Sequence, residues 1–235
     1  MRLRHLPQTC VMLVLALVML VGCGSSSSSS NSVASKSAEQ IVSESKAVAT
    51  AATSVHVFGG LKSGVTPVTL DLNLVAGKGA KGELSQNGVS FKLILVGGTA
   101  YINGSPAFYR SLGGAAAAQL FDGKWLKASA TTGEFASFSQ LADMRKLIDS
   151  TLTSHGTLAK GATAVVNGQK TIAITDAPRD ATLYVATNGK PYPVQLSKGG
   201  SESGKIAFDR WNQPVTITAP ANSVDLAELK AAGGH

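Results

Sequence analysis

The spacing of hydrophobic positions changes character along the chain. Cys10 to Val21 is an unbroken apolar run. Ala38, Ile41, Val42, Val48, Ala49 and Ala52 then share one helical face opposite Glu39, Ser43, Glu44 and Lys46, and Ser37 with Gln40 supplies a capping box ahead of them. This predicts a helix from Ser37 to about Ala52. From Val55 the period becomes two. Val68, Leu70, Leu72 and Leu74 alternate with Thr69, Asp71 and Asn73, and Val89, Phe91, Leu93 and Leu95 alternate with Ser90, Lys92 and Ile94, the pattern of half-buried antiparallel strands. Asn87-Gly88, Asn103-Gly104, Asp122-Gly123, Asn167-Gly168 and Asn188-Gly189 tolerate the positive φ of tight turns, so hairpin follows hairpin. Ser137 with Gln140 offers a second capping box, and Phe138, Leu141, Met144 or Arg145, Ile148 and Leu152 recur at helical spacing until Gly156, which predicts a second helix interrupting the strands. A sheet of about eight to eleven strands, apolar on one face, needs a cover, and these two amphipathic helices are the candidates. The expected fold class is α+β: a strongly curved antiparallel sheet, a half-barrel, with helices packed in its concave face.

Arg2, Arg4 and His5 precede the apolar run and Leu20-Val21-Gly22-Cys23 ends it, the order of a secretion signal. The run is shorter than the roughly 20 residues a spanning helix needs, and serines follow it in place of a stop-transfer pattern. Leu-Val-Gly-Cys resembles the lipobox of bacterial lipoproteins, which implies cleavage before Cys23 and a diacylglyceryl group on its thiol. Each buried methylene adds about 0.8 kcal/mol, so two or three acyl chains hold where one is marginal. Leu3 separates Arg2 from Arg4, which points to the general secretory route rather than the twin-arginine one. Gly24, the run Ser25 to Ser30 and Asn31 to Ser35 have the composition of a flexible tether, with an r.m.s. span of about 20 Å from Cys23 to Ser37. The chain is thus expected to divide into a signal peptide (1–22), a tether (23–36) and a single domain (37–235), anchored on the outer face of the cytoplasmic membrane.

With 44% hydrophobic and 15% charged residues the chain has a globular composition, not a disordered one. Cys10 and Cys23 both lie in or at the edge of the leader, so the domain has no disulfide and no cysteine-based metal site. The formal charge is +7, and loss of Arg2 and Arg4 with the leader lowers it by two. That surplus favours anionic headgroups or glycolipids, while the scattered basic residues lack the aromatic interleaving of a nucleic-acid surface. Gly77-Lys78-Gly79-Ala80-Lys81-Gly82 matches GxGxxG, but strand alternation follows it where a dinucleotide site needs a helix N-terminus, so it reads as a glycine-rich hairpin. His56, His155 and His235 are not at metal-ligand spacing; His56 reads as a strand side chain and His155 as a helix-end residue facing the dipole. There is no G-x-S-x-G elbow and no carboxylate pair in an apolar context, so no catalytic residue and no cofactor are assigned. Asn103-Gly104-Ser105 fits a glycosylation sequon, but beside a bacterial lipobox the hairpin reading is better. Strands and helices do not alternate as they do in doubly wound importer lobes.

Leu183 to Val194, read as LYVATNGKPYPV, and Phe208 to Val215, read as FDRWNQPV with Ala219-Pro220 after it, resemble the mycobacterial LppX/LprG-type lipoproteins. The lipobox, the serine tether, the early helix, the strand Gly98 to Ile102 and the central helix extend that resemblance over nearly the whole mature chain. It implies a sheet similar to the LolA/LolB carriers, enclosing an apolar cavity for acyl chains. The implied function is carriage of acylated lipids or glycolipids across the envelope by an anchored monomer, with a membrane exporter as partner. Leu70, Leu72, Phe91, Leu93, Leu141 and Ile148 are the candidate cavity lining, and read equally well as plain core packing. An empty void costs about 24 cal/mol per Å³, so either a ligand fills the concavity or the helices collapse into it. A headgroup at the rim would lie near Lys124, Lys127 or Lys190, and Gly113 to Ala118 reads as a small-residue loop or flap at the entrance. The competing expectation is a ligand-free interaction or sensor module that scaffolds a membrane complex around a filled core.

Overall fold

In the computed structural model, which describes residues 29–233, two meanders make one sheet. The first runs through β1 (Ser54–Ser63), β2 (Thr66–Val75), β3 (Gly79–Gln86), β4 (Val89–Val96), β5 (Thr99–Gly104) and β6 (Trp125–Ser129). The second comprises β7 (Leu158–Val166), β8 (Gln169–Asp176), β9 (Ala181–Ala186), β10 (Pro193–Lys198) and β11 (Gly204–Asp209). Within each meander consecutive strands pair antiparallel, and the two join where β1 pairs antiparallel with β11. A short β12 (Ser223–Asp225) adds in parallel to β6, giving the order β12-β6-β5-β4-β3-β2-β1-β11-β10-β9-β8-β7. The sheet is curled and does not close into a barrel, as the period-two pattern led us to expect. Its 12 strands exceed the expected number because β12 is short and gains its place from β6, not from its own alternation.

The concave face is filled by helices. Helix α1 (Ala38–Thr50) has the expected capping box, with the Ser37 side chain accepting the Gln40 N–H and the Gln40 side chain accepting the Ser37 N–H. Its buried face carries Ala38, Ile41, Val42, Ser45 and Ala49. These meet Val55 and Val57 of β1, Leu72 and Leu74 of β2 and Leu93 and Leu95 of β4 in one core cluster. The predicted second helix is broken into pieces. A 3-10 turn over Gly133–Phe138 leads to α3 (Ser139–Ala142), and the backbone then leaves the helix at Asp143 (φ −109, ψ 88). Asp143 caps the next helix, α4 (Met144–Thr153), by accepting the Lys146 N–H at 3.1 Å. An aspartate competes for backbone donors, and here it restarts the helix instead of continuing it. That same N–H holds the Asp143 carboxyl below the usual carboxylate range.

A further helix stands where a hairpin and a loop were expected. Asn103-Gly104 does not turn the chain into another strand; Ser105 accepts the Phe108 N–H and starts α2 (Pro106–Phe121), with Pro106 in its first turn. Gly113 to Ala118 lies inside this helix, kinked at Gly113 (φ −155) and Gly114 (φ 68). Tyr109 pins α2 to the sheet: its buried hydroxyl donates to the Lys124 carbonyl at 2.8 Å and accepts the Gly104 N–H at 2.9 Å, and burial pushes the phenol pKa up. A last helix, α5 (Leu226–Gly233), follows β12. Of the Asn-Gly pairs, Asn87-Gly88 and Asn167-Gly168 make hairpin turns with both residues at positive φ, and Asn188-Gly189 lies in the β9–β10 connection. Asp122-Gly123 leads from α2 into β6. Gly79 and Gly82 of the GxGxxG match lie within β3, where a Cβ would meet the carbonyls of Leu95 and Asp71.

The chain docks earlier than the tether boundary read from sequence. Val33 is 1% exposed in the core, and the Asn31 side chain donates to the carbonyls of Ala186 and Gly189 at 3.0 and 2.9 Å. Apolar content decides this: a serine tract cannot bury surface, but Val33 can. The signal peptide, Cys10, Cys23 and His235 lie outside the described residues.

The two family-like segments meet in space. Trp211 stacks on Tyr192 with ring centroids 4.7 Å apart. Asn212, at φ 60, donates to the Tyr192 hydroxyl at 2.7 Å and accepts the Thr53 N–H at 2.9 Å. On the outer face of the seam, His56 of β1 is 6% exposed and hydrogen-bonded on both ring nitrogens, to Asp209 of β11 at 2.6 Å and Asp71 of β2 at 3.0 Å. It ties three neighbouring strands together. Asn212→Ala should cost about 1–2 kcal/mol in urea unfolding, for the lost bonds and the left-handed backbone. Tyr109→Phe leaves the buried Gly104 N–H without its acceptor and should cost about 1–3 kcal/mol. An unchanged midpoint in either variant would contradict the corresponding anchor.

Candidate functional site

The structure brings the six candidate lining residues together in one cluster but gives them two different environments. Leu72, Leu93 and Ile148 are buried in the core, with exposures of 3% or less. Leu70, Phe91 and Leu141 are half-buried at its edge. The distinction follows from register. Leu70 pairs with Leu84 and Leu84 with Phe91, all on the inward face at the end of the sheet where β2 and β4 begin. Across the seam, Leu196 of β10 pairs with Ile206 of β11, also half-buried. Phe91 lies 5.0 Å from Phe108 of α2 and 5.7 Å from Phe138, ring to ring. A Cβ on Gly104 would strike the Phe108 ring, so the glycine admits that contact. This end of the concave face is therefore an apolar mouth that the helices cover only in part.

One side of the mouth is a cleft of about 220 Å³ between the end of α4 and strands β8 to β10. Its floor is Val42, Leu152, Leu158, Ile174, Leu183 and Leu196, and its polar wall includes Asp176, Arg179, His155 and Lys198. Asp176 is 6% exposed. Its Oδ2 accepts the Gly156 N–H at 2.9 Å and faces Arg179 Nη1 at 3.4 Å, while Oδ1 is buried and has no partner among the described residues. The Gly156 N–H, then Arg179, holds the Asp176 carboxyl below its usual range against the opposing effect of burial. A Cβ on Gly156 would stand 2.9 Å from Asp176 Oδ1, so residue 156 must be small. Sequence reasoning missed Asp176 because a polar residue at a strand end is ordinary; only its inward register, opposite Leu158 and Ala181, marks it.

The lysines expected at a rim do not share one. Lys127 pairs with Asp225 at 3.3 Å, Lys124 precedes β6, and Lys190 lies beyond β9 at the far end of the sheet. Arg179 and Lys198 are the cations beside the cleft, the latter paired with Glu202. His155 follows α4 and is exposed, its Nδ1 3.1 Å from the Gly156 carbonyl. Among the described residues no group of three or more His, Cys, Asp or Glu side chains is placed to hold a metal, and no helix is long and apolar enough to cross a membrane.

Compared with models of protein families the chain matches none, and no curated protein sequence matches it. Solved structures do match. LprF from Mycobacterium bovis aligns over 79% of this chain and 97% of its own, with 16% sequence identity and a TM-score of 0.57. The fold is that of LprF. The resemblance to LppX/LprG-type lipoproteins read from the sequence thus holds at the level of the fold. A LolA superfamily protein from Nitrosomonas europaea aligns over 77% of this chain and 95% of its own at 7% identity, with a TM-score of 0.27, too distant to bear on the argument. On this LprF-like frame the helices occupy the concavity and the mouth lies at one end.

The Asp176 geometry has a pH signature. A carboxyl depressed in the folded state contributes stability above its unfolded pKa of about 3.9, and loses it as pH falls through the lower folded value. The melting temperature of Asp176→Asn should therefore lie below that of the parent at neutral pH, and the gap should close on acidification below about pH 4. A gap that is absent at neutral pH, or widens in acid, would contradict the assigned bonds.

Proposed function

We propose that this chain is an anchored envelope lipoprotein that binds acylated lipids or glycolipids and carries them across the envelope as a monomer, with a membrane exporter as partner. It acts by carriage and not by catalysis. The observation that supports this best is the apolar mouth: large side chains on both sides of the seam stay half-buried at one end of the concave face.

Energetics make the cover exchangeable. Met144, Ile148 and Leu152 are the buried residues of α4. At about 1.5–3 kcal/mol per buried side chain, lifting α4 costs roughly 5–9 kcal/mol. The polar ties of α4 to α1 are exposed and weak: Lys46 to Asp149 at 3.1 Å, and Arg145 to the Thr50 carbonyl at 3.2 Å. An acyl chain gains about 0.8 kcal/mol per buried methylene, so about ten methylenes offset the displaced helix. The cleft of about 220 Å³ is smaller than the roughly 300 Å³ at which ligand pockets begin, so α4 must move to admit a chain. The headgroup would then lie beside Asp176, Arg179 and Lys198, with the lining residues Leu70, Leu72, Phe91, Leu93, Leu141 and Ile148 against the chain. The filled core equally favours the second reading, a ligand-free module scaffolding a membrane complex.

Native mass spectrometry of the chain from residue 23 on, with Cys23→Ser to remove the anchor, separates the two. Carriage predicts a stoichiometric acyl lipid after expression in a lipid-rich host. A clean apo mass that persists after incubation with envelope lipid extract would favour the scaffold. Within the lining, Phe91→Ala should lower lipid occupancy with a small loss of stability, whereas Leu93→Ala should cost about 2–5 kcal/mol. Equal stability costs would remove the distinction between mouth and core.

A further inference from the structure

The register assigns every connection to one of two ends of the sheet. The mouth occupies one end. At the other lie the β2–β3, β4–β5, β7–β8 and β9–β10 connections, the α1–β1 link and the chain after β11. Exposed cations collect there. Lys78, Arg145 and Lys146 line one groove with Gly77, Gly97 and Gly98. The Lys170 carbonyl accepts the Thr187 N–H at 2.9 Å and the Lys190 carbonyl accepts the Tyr192 N–H at 2.8 Å, which places both lysines around the β9–β10 connection. Arg210 precedes Trp211, the ring stacked on Tyr192. At this end Asp143 pairs with Lys146, Asp209 with His56 and Arg210, and Asp225, in a groove with Gly98 and Thr99, with Lys127. At the mouth Lys62, Arg110, Lys124, Arg179, Lys198 and Lys205 are interspersed with Asp122, Asp176, Asp180 and Glu202. At the end away from the mouth the exposed cations Lys78, Arg145, Lys146, Lys170, Lys190 and Arg210 therefore outnumber the paired carboxylates Asp143, Asp209 and Asp225.

The chain enters the domain at this same basic end. The Ser29 carbonyl accepts the Gly189 N–H at 3.1 Å, and the Asn31 N–H donates to the Thr187 carbonyl at 2.8 Å. Fully extended, the backbone from Ser29 back to Cys23 reaches at most about 20 Å. Docking of Ser29 and Asn31 beside the β9–β10 connection leaves a shorter link to Cys23 than the tether read from sequence.

We propose that the basic end is a docking face for an anionic bilayer surface, engaged alongside the lipid anchor, so that the apolar mouth opens away from the membrane. The orientation rests on the reading of Cys23 as the anchor; the charge-driven contact does not. Hydrophobic anchoring and a basic patch are the two signals that together hold a peripheral protein stably. Each lysine or arginine brought to an anionic surface is worth about fivefold in partitioning, and the attraction fades within about 10 Å at ordinary salt, so only the facing end responds. A mouth turned outward delivers its cargo to a partner in the envelope and not back to the bilayer that holds the anchor.

The test uses the chain from residue 23 on with Cys23→Ser, sedimented with vesicles of phosphatidylcholine alone or mixed with phosphatidylglycerol. The proposal predicts salt-sensitive binding to the mixed vesicles only. Combined Lys78→Glu, Lys170→Glu and Lys190→Glu should lower it by about a hundredfold, while Lys62→Glu, Arg110→Glu and Lys124→Glu together should change it less than about fivefold. Lys170→Glu with Lys190→Glu serves as a milder second variant, checked for folding by circular dichroism and expected to lose at least tenfold. Equal loss in the two triple variants, or equal binding to both kinds of vesicle, would overturn the proposal. Lipid carried through expression and seen in the mass spectrum of the Lys78 variant keeps the carrier reading separate, because that reading stands or falls on occupancy and not on vesicle binding.

Discussion

The pairing of β1 with β11 is the constraint on which the rest of the molecule depends. Each meander is built from hairpins between neighbours in sequence and could form with little loop-closure cost. Neither can bury its apolar face alone. Joined along six residue pairs from His56–Asp209 to Leu61–Gly204, they become one curved surface that wraps α1. The contacts that fasten the seam are unusually polar for a sheet centre: His56 between two aspartates outside, and at its end Asn212 with Thr53 and the Ser54 carbonyl, and the Ser54 hydroxyl with the Gln213 carbonyl. Such directional bonds fix register, and register decides which residues face inward.

Inward facing has two outcomes along the same strands. Toward the end where the chain enters, the pairs are covered by α1 and α4 and behave as a packed core. Toward the other end, Leu70, Phe91, Leu196 and Ile206 continue the same inward rows beyond the cover. The break at Asp143 divides the cover that follows β6 into short pieces, and of these α4 carries the buried apolar stripe Met144, Ile148 and Leu152. A segment held by three large side chains and exposed ion pairs can be displaced by a ligand of similar apolar area. A segment held by a hydrogen-bonded ladder could not.

Much of this was legible in the sequence where one physical rule acted alone. The Ser37–Gln40 capping box and the face from Ala38 to Ala49 located α1 because a local bond and a 3.6 period agree there. Strict alternation located β2 and β4. Legibility failed where two rules compete. Ser105-Pro106 signals a helix start, yet Gly113-Gly114 breaks the period, and the tertiary grip of Tyr109 carries α2 through. Asp143 both interrupts one helical pattern and starts another. Val33 stands alone in a polar tract, so its burial has no periodic signature. The setting of Asp176 and the gathering of Lys78, Arg145, Lys170 and Lys190 at one end arise from topology, since the residues concerned are far apart in the chain.

Hydrogen exchange of the α4 amides with and without palmitate tests most directly whether the helical cover gives way to a ligand. The account predicts that bound palmitate changes exchange across Met144–Thr153 by tenfold or more, while amides of β2 to β4 stay within twofold. Exchange in α4 that tracks the sheet, unchanged by saturating palmitate, would contradict a displaceable cover and leave the concave face a closed core.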